Sequence, residues 1–275
     1  MHDTDEPEPD IGSLPAIAAQ GQQTAFPDHF SDAAAAYAVT RPAYPTALFE
    51  SVAAYAPSRA LAWDCGTGNG QAAIGLAQYF DTVVATDASA EQIASAIPQL
   101  RVRYCVAPAE ASGLPDASCD LVSVAQALHW FDLPRFYAEA QRVLKPHGVL
   151  AAYGYSWFYV APEIDPIVDS ALLRPLDEFW PPQNALLWHG YRTIDFPFEG
   201  LPAPRLAIHL RWTLPQLLDY YLTWSAARRR LTERGDAFLV CARTALESVW
   251  GDPQRPRAVV MPMTVRLGRR ASKGA

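Results

Sequence analysis

"LAWDCGTGNGQ", residues 61–71, runs a short apolar stretch into Asp64 and then packs three glycines, Gly66, Gly68 and Gly70, into five positions. An apolar run, a glycine turn and the helix-forming "GQAAIGLAQYF" (70–80) predict a buried strand, a tight loop and a helix. At such a junction the helix N-terminus and the loop N–H groups face the carboxyl edge of the sheet, where open α/β folds bind ligands. Glycine lets backbone approach a ligand closely and tolerates positive φ.

Outward from the loop the same rhythm continues. "TVVATD" (82–87) reads as a strand, "SAEQIASAI" (89–97) as a helix capped by Ser89, "RVRYCVA" (101–107) and "CDLVSVAQ" (119–126) as strands, "PRFYAEAQRVLK" (134–145) as a helix and "GVLAAYGY" (148–155) as a fifth strand. Strands alternating with helices require crossovers, so the fold class is α/β, with a mostly parallel sheet and helices on both faces. Upstream, Ser31 is placed to cap a short helix, and Thr46 onward carries a second one. After Tyr155 the composition turns aromatic and Pro-rich, and the region 157–204 is expected to form a cap inserted after strand five. Then "RLAIHLRW" (205–212), two helical stretches beginning at Thr213 and Gly235, and a last strand "AVVMPMTVRLGR" (258–269) complete the chain.

The chain has 275 residues, is 50% hydrophobic and carries a formal net charge of -7. That fits one large domain over residues 26–270, preceded by a flexible tail over 1–25 whose Asp, Glu, Pro, Gly and Gln content cannot bury enough surface to order it. The negative balance offers no field to attract nucleic acid or an anionic membrane. No segment approaches the ~20 apolar residues of a membrane helix, and the acidic start "MHDTDEPEPD" is no signal peptide. Four scattered cysteines without metal-ligand spacing read as reduced residues of a cytoplasmic protein that holds no metal.

The loop itself excludes some ligands. It ends Asn69-Gly70-Gln71 instead of Gly-Lys-Ser/Thr, so it is no Walker loop. Its glycines are spaced by two, whereas a dinucleotide fingerprint needs its third glycine three positions after the second. Asp64 sits poorly beside a pyrophosphate and suits a ligand with a cationic amino-acid end. Asp87 closes the second strand about twenty residues on, where a carboxylate accepts from both hydroxyls of a ribose, in NAD and other adenosine ligands alike.

"DCGTGNGQ", "ATDASAEQI", "APAEASGLPDASCDLVSVAQALHWFD" and "AEAQRVLKPHGVLAAYGYSW" together resemble the class I S-adenosylmethionine-dependent methyltransferases, in particular their small-molecule branch near trans-aconitate methyltransferases. The resemblance implies a Rossmann-like methyltransferase fold with a seven-stranded sheet whose last strand is antiparallel. It implies S-adenosyl-L-methionine as methyl donor, S-adenosyl-L-homocysteine as product and a small-molecule acceptor, in a monomer or weak homodimer. Under it Asp64, Gly66, Gly68 and Gly70 hold the amino-acid end of the cofactor, Asp87 the ribose, Ala109 and Glu110 the adenine side, and Gln126 the sulfur side. Pro108 stands where an Asp or Gly often precedes the Ala-Glu pair. Two further readings of the fold are an NAD-linked oxidoreductase, against which Asp64 and the glycine spacing argue, and a methyltransferase fold recruited to a non-methylating task.

On the acceptor side, His129 and Trp130 follow the fourth strand. His129 has the pKa range of a general base, or else packs and hydrogen-bonds without chemistry. Tyr37, Arg41 and Tyr44 in "YAVTRPAYP" either close over the site, with Arg41 pairing a carboxylate, or are surface and packing residues. Trp157, Trp180, Trp188 and Trp224 either make an apolar lid for the acceptor, with Trp224 in its wall, or form a small hydrophobic core.

Overall fold

The computed structural model describes residues 41–271; the expected 1–25 tail, the Ser31-capped helix and Tyr37 lie outside them. Strands β1 (Leu61–Cys65), β2 (Thr82–Asp87), β3 (Val102–Val106), β4 (Cys119–Ala125) and β5 (Leu144–Tyr155) pair in parallel in the spatial order β3-β2-β1-β4-β5. The order reverses between β1 and β4, which opens a crevice beyond their carboxyl ends. Side chains alternate between the two faces as the strand period requires. Trp63, Cys65, Val122, Val124, Leu150 and Ala152 enter one core, and Ala62, Leu121, Val149, Ala151 and Tyr153 the other.

Helices cover both faces. α1 (Thr46–Tyr55) buries Leu48, Phe49 and Val52 beside α2 (Gln71–Leu76), where the Phe49 ring fills the space that a Cβ on Gly75 would take. α3 (Ala90–Ala94) is capped by Ser89, whose hydroxyl accepts from the Gln92 N–H. On the opposite face, α4 (Leu133–Val143) supplies Phe136, Tyr137, Ala140 and Val143. At the far end of the sheet the buried Asp120 accepts from the Ala60 and Leu61 N–H groups, Ser58 Oγ and Lys145 Nζ, fastening three strands away from the loop.

Beyond β5 come α5 (Asp165–Val168), a π turn (Asp169–Leu173), a 3-10 turn (Arg174–Phe179), α6 (Asn184–Trp188), β6 (Glu199–Leu201), β7 (Ala207–Trp212), α7 (Leu214–Leu222), α8 (Ser225–Arg234), α9 (Ala237–Trp250) and β8 (Arg257–Arg269). β8 runs antiparallel to β5, as the resemblance implies. Among the described residues the sheet has eight strands instead of seven, because β6 and β7 divide its outer edge: β6 pairs with the end of β8 and β7 with its first half. The helix expected from Thr213 splits at Trp224, whose backbone is extended between α7 and α8.

The cap also differs from a single 157–204 insert. Phe158, Ile164, Val168, Leu172, Leu176 and Phe179 share one core with Leu217, Leu218, Tyr220, Tyr221, Trp224, Leu246 and Trp250 from α7 to α9. Tyr191, Ile194, Phe196 and Phe198 instead return to the sheet core. The cap is therefore assembled from two stretches of chain on either side of β6 and β7. β8 joins the regions, with Val259 and Met261 in the cap core and Leu267 in the sheet core.

Candidate active site

The glycine loop takes its shape from the backbone. Gly66, Gly68 and Gly70 have φ of +68°, +56° and +89°, a region side chains rarely adopt. A Cβ on Gly66 would stand 2.7 Å from Ala127 Cβ, and one on Gly70 would strike the Tyr104 ring. At Gly68 such an atom would meet only Gln92 Oε1, at 3.6 Å, so this turn of the loop faces open space.

Two carboxylates hold the loop. Asp64 lies beneath it, fully buried, accepting from Thr67 Oγ1 at 2.6 Å and Ser123 Oγ at 2.9 Å. The Ser123 hydroxyl is in turn 2.8 Å from Tyr153 Oη. Burial pushes Asp64 up to about 6, the Asp87 charge adds to that, and the Thr67 and Ser123 hydrogen bonds oppose it. Asp64 thus anchors the loop from below and is not offered on its outer rim. Asp87, half-buried at the end of β2, accepts from the Gly68 N–H through Oδ2 and the Ser89 N–H through Oδ1, each at 2.9 Å. A carboxylate oxygen takes more than one hydrogen bond, so these two main-chain contacts do not by themselves exclude ligand hydroxyls.

The other expected positions cluster around the same crevice. Ala109 is buried, and Glu110 Oε1 accepts from the Asp132 N–H at 3.0 Å, which ties the turn after β3 to the start of α4. Gln126 ends β4 at φ +57° and donates from Nε2 to the Tyr155 carbonyl at 2.9 Å. His129 lies in a 3-10 turn (Leu128–Trp130), only 6% exposed, with Nδ1 3.1 Å from Tyr191 Oη and the half-buried Trp130 ring 4.9 Å away. Burial pushes this imidazole down to about 4. It is neutral at pH 7 and accepts a proton weakly.

The segment before β1 reaches the loop. Gln71 Nε2 donates to the Pro42 carbonyl, and Arg41, Tyr44, Asn69 and Gln71 line one cleft. Tyr44 packs on Tyr153 and Tyr155, which sets it over the carboxyl end of β5. Trp224 departs from the expectation of a pocket wall: it is 4% exposed and enclosed by Trp157, Phe158, Trp180, Tyr220 and Tyr221. Its large apolar ring is worth most in the cap core, and it is used there. Trp157 and Trp180 stand half-buried at the margin of that core, and the half-buried Trp188 packs on both of them.

Three parts of the site escaped sequence reading. Ser123 is the lone hydroxyl of a buried strand, set between Val122 and Val124, a signal that could have marked it as the partner of Asp64. Tyr153 and Tyr191 look like ordinary core aromatics, and no local pattern announces their hydroxyl partners.

Residues 63–152 match the family model described as a methyltransferase domain. A Dictyostelium discoideum protein described as a methyltransferase is 32% identical over 206 residues, covering 74% of this chain and 78% of that protein. A Saccharomyces cerevisiae protein described as an S-adenosylmethionine-dependent methyltransferase is 30% identical over 46% of this chain, an alignment spanning only 45% of the yeast protein. A solved Anaeromyxobacter dehalogenans structure, described as a type II methyltransferase, superposes with a TM-score of 0.80 at 45% identity, covering 84% of this chain and 98% of that one. With a crevice held by the Asp64 and Asp87 carboxylates, and relatives matched along most of its length, the chain belongs to the class I S-adenosylmethionine-dependent methyltransferases.

Proposed function

We propose that the protein transfers a methyl group from S-adenosyl-L-methionine to a small-molecule acceptor by direct displacement, releasing S-adenosyl-L-homocysteine. The cofactor, when bound, supplies a sulfonium methyl that is already electrophilic, which leaves binding, alignment and water exclusion to the protein. In this reading Gly66, Gly68 and Gly70 bring backbone against the amino-acid end, and Asp64 keeps that loop in shape from below. Asp87 accepts from the ribose hydroxyls. Ala109 and Glu110 border the adenine, and Gln126 stands toward the sulfur. Arg41 and Tyr44 cover the site, and Trp130 borders the acceptor.

Of the two readings the sequence leaves open for His129, general base or packing residue, we take a positioning part. Its low proton affinity and its bond to Tyr191 suit an imidazole that fixes the turn after α6, which packs in the sheet core, against the exit of β4. The observation that carries the small-molecule reading is the cap. Its core starts from Tyr155 and Phe158 at the end of β5, beside the crevice, and favours a compact acceptor over a polymer. The four free cysteines support a reducing, cytoplasmic setting.

Calorimetric titration of the full chain with S-adenosyl-L-homocysteine and with NAD tests the cofactor; binding of NAD alone would overturn the reading. Incubation with S-adenosyl-L-methionine and a metabolite extract, or with RNA or protein fractions, tests the acceptor. S-adenosyl-L-homocysteine release is expected with the metabolite extract. Release only with RNA or protein would sink the small-molecule assignment, and cofactor binding without release in any fraction would favour a recruited, non-methylating fold.

A further inference from the structure

Buried polar groups are nearly always hydrogen-bonded, so those left alone point to a missing partner. Three such atoms belong to residues on α6 or packed beside it, where it meets the carboxyl end of the sheet. Gln126 crosses above Gly154, and its Nε2 bond to the Tyr155 carbonyl fixes the amide so that Oε1 is the free end. That Oε1 is buried and unpartnered. A Cβ at Gly154 would press both on this oxygen and on Leu187 Cδ1, so the oxygen lies directly under α6. Asn184 Oδ1, from the first residue of α6, and Trp180 Nε1 are buried and unpartnered as well. The Trp180 ring packs 5.7 Å from Trp188 of α6 and 6.2 Å from Trp157, which follows β5.

The chemistry of these atoms is selective. An indole N–H only donates, and the Gln126 oxygen only accepts. A carboxylate would meet the oxygens of Gln126 and Asn184 with no countercharge beside it, so an anion is opposed, whereas an uncharged group that both donates and accepts satisfies the oxygens and the indole N–H together. The surrounding tryptophans supply flat apolar walls. Resting on the methyltransferase reading above, we propose that Gln126, Trp180 and Asn184 form the acceptor subsite. It takes a neutral, flat, apolar molecule with an oxygen that accepts from Trp180 and a hydroxyl that donates to Gln126.

Calorimetry on the full chain saturated with S-adenosyl-L-homocysteine tests this with three probes. The neutral 4-hydroxyacetophenone has both groups, 4-ethylphenol lacks the carbonyl, and 4-hydroxybenzoate replaces it by a charge. 4-Hydroxyacetophenone is expected to bind tightest. Trp180→Phe, which keeps a ring and removes the N–H, should weaken it about fivefold, the loss of one neutral hydrogen bond, while changing 4-ethylphenol less than twofold. A merely structural role would lower the melting temperature and weaken both probes alike, and would overturn the proposal, as would tightest binding of 4-hydroxybenzoate or no probe binding. Should the variant not fold, the unmodified 15N-labelled protein gives the same answer. One indole N–H resonance should move downfield with 4-hydroxyacetophenone and stay in place with 4-ethylphenol; no such difference refutes the assignment. Failure to bind S-adenosyl-L-homocysteine at all would instead fault the underlying methyltransferase reading.

Discussion

Around the glycine loop, position is set by backbone: three left-handed glycines, a parallel register from β3 to β5, and carboxylates that accept main-chain or nearby hydroxyl hydrogens. In the cap, position is set by side-chain volume. Its short helices and turns follow one another without a ladder, and Trp157, Trp180, Trp188 and Trp224 lie with neighbouring ring centroids 5.1 to 6.2 Å apart. A backbone-defined site tolerates changes in neighbouring side chains so long as φ and register survive. A volume-defined one moves when a single ring is lost. That contrast suits a fixed cofactor platform beneath an acceptor cover that can diverge.

The largest test of this division is Trp224→Ala. Removing an aromatic ring from the middle of a packed core costs about 3 to 5 kcal/mol. The variant should lose that much stability in urea unfolding followed by tryptophan fluorescence, yet bind S-adenosyl-L-homocysteine within about twofold of the unmodified protein, because no loop residue touches the ring. Equal loss of cofactor affinity would show that the two regions are one unit.

The difference between the regions also explains what could be read from sequence. β1, β2, β3 and β4 lie within a residue of their expected ends, because apolar runs bounded by Gly, Asp and Ser report a buried strand directly. Asp87 was legible because its place at a strand end, a fixed distance past a glycine loop, carries its chemistry. The cap was not legible in that way. Its π and 3-10 turns have no period to detect, and Leu172 and Leu246 meet across more than seventy residues of chain. The strand β6 is too short to leave an alternation, and it moved the expected cap boundary. His129 was found as a residue but not as a state, since its burial and its Tyr191 partner come from the fold of a distant segment.

Asp87→Ala strikes the opposite region. The change strands the Gly68 and Ser89 N–H groups and removes the proposed ribose contacts. Calorimetry should show S-adenosyl-L-homocysteine binding weakened by about 1 to 3 kcal/mol, with unfolding of the cap unaffected. Unchanged affinity would remove Asp87 from the cofactor site. A shifted cap transition would contradict the separation that Trp224→Ala tests from the other side.

The smallest effect lies where the chain leaving α6 packs back on the sheet core. His129 is held neutral down to about 4, against 6.5 for a free imidazole. Between those values the unfolded chain binds a proton that the folded chain refuses, so stability from this group is present above 6.5 and falls as the pH drops toward 4. Asp64 works in the reverse sense: its carboxyl is raised to about 6, so it favours the folded state more as the pH falls through that value. The pH curve of the protein alone therefore mixes the two, and comparison with His129→Asn separates them, since Asp64 is common to both chains. Asparagine can keep a polar contact with Tyr191 but does not titrate. The stability gap between the two chains should narrow by about 1.4 kcal/mol between pH 7.5 and 5.5, the linkage expected for one buried neutral histidine. Closing of the gap upholds a neutral imidazole buried against Tyr191; a gap constant with pH would mean that His129 takes up its proton in the folded protein as it does in the unfolded chain, and that the Tyr191 contact does not hold the turn after α6.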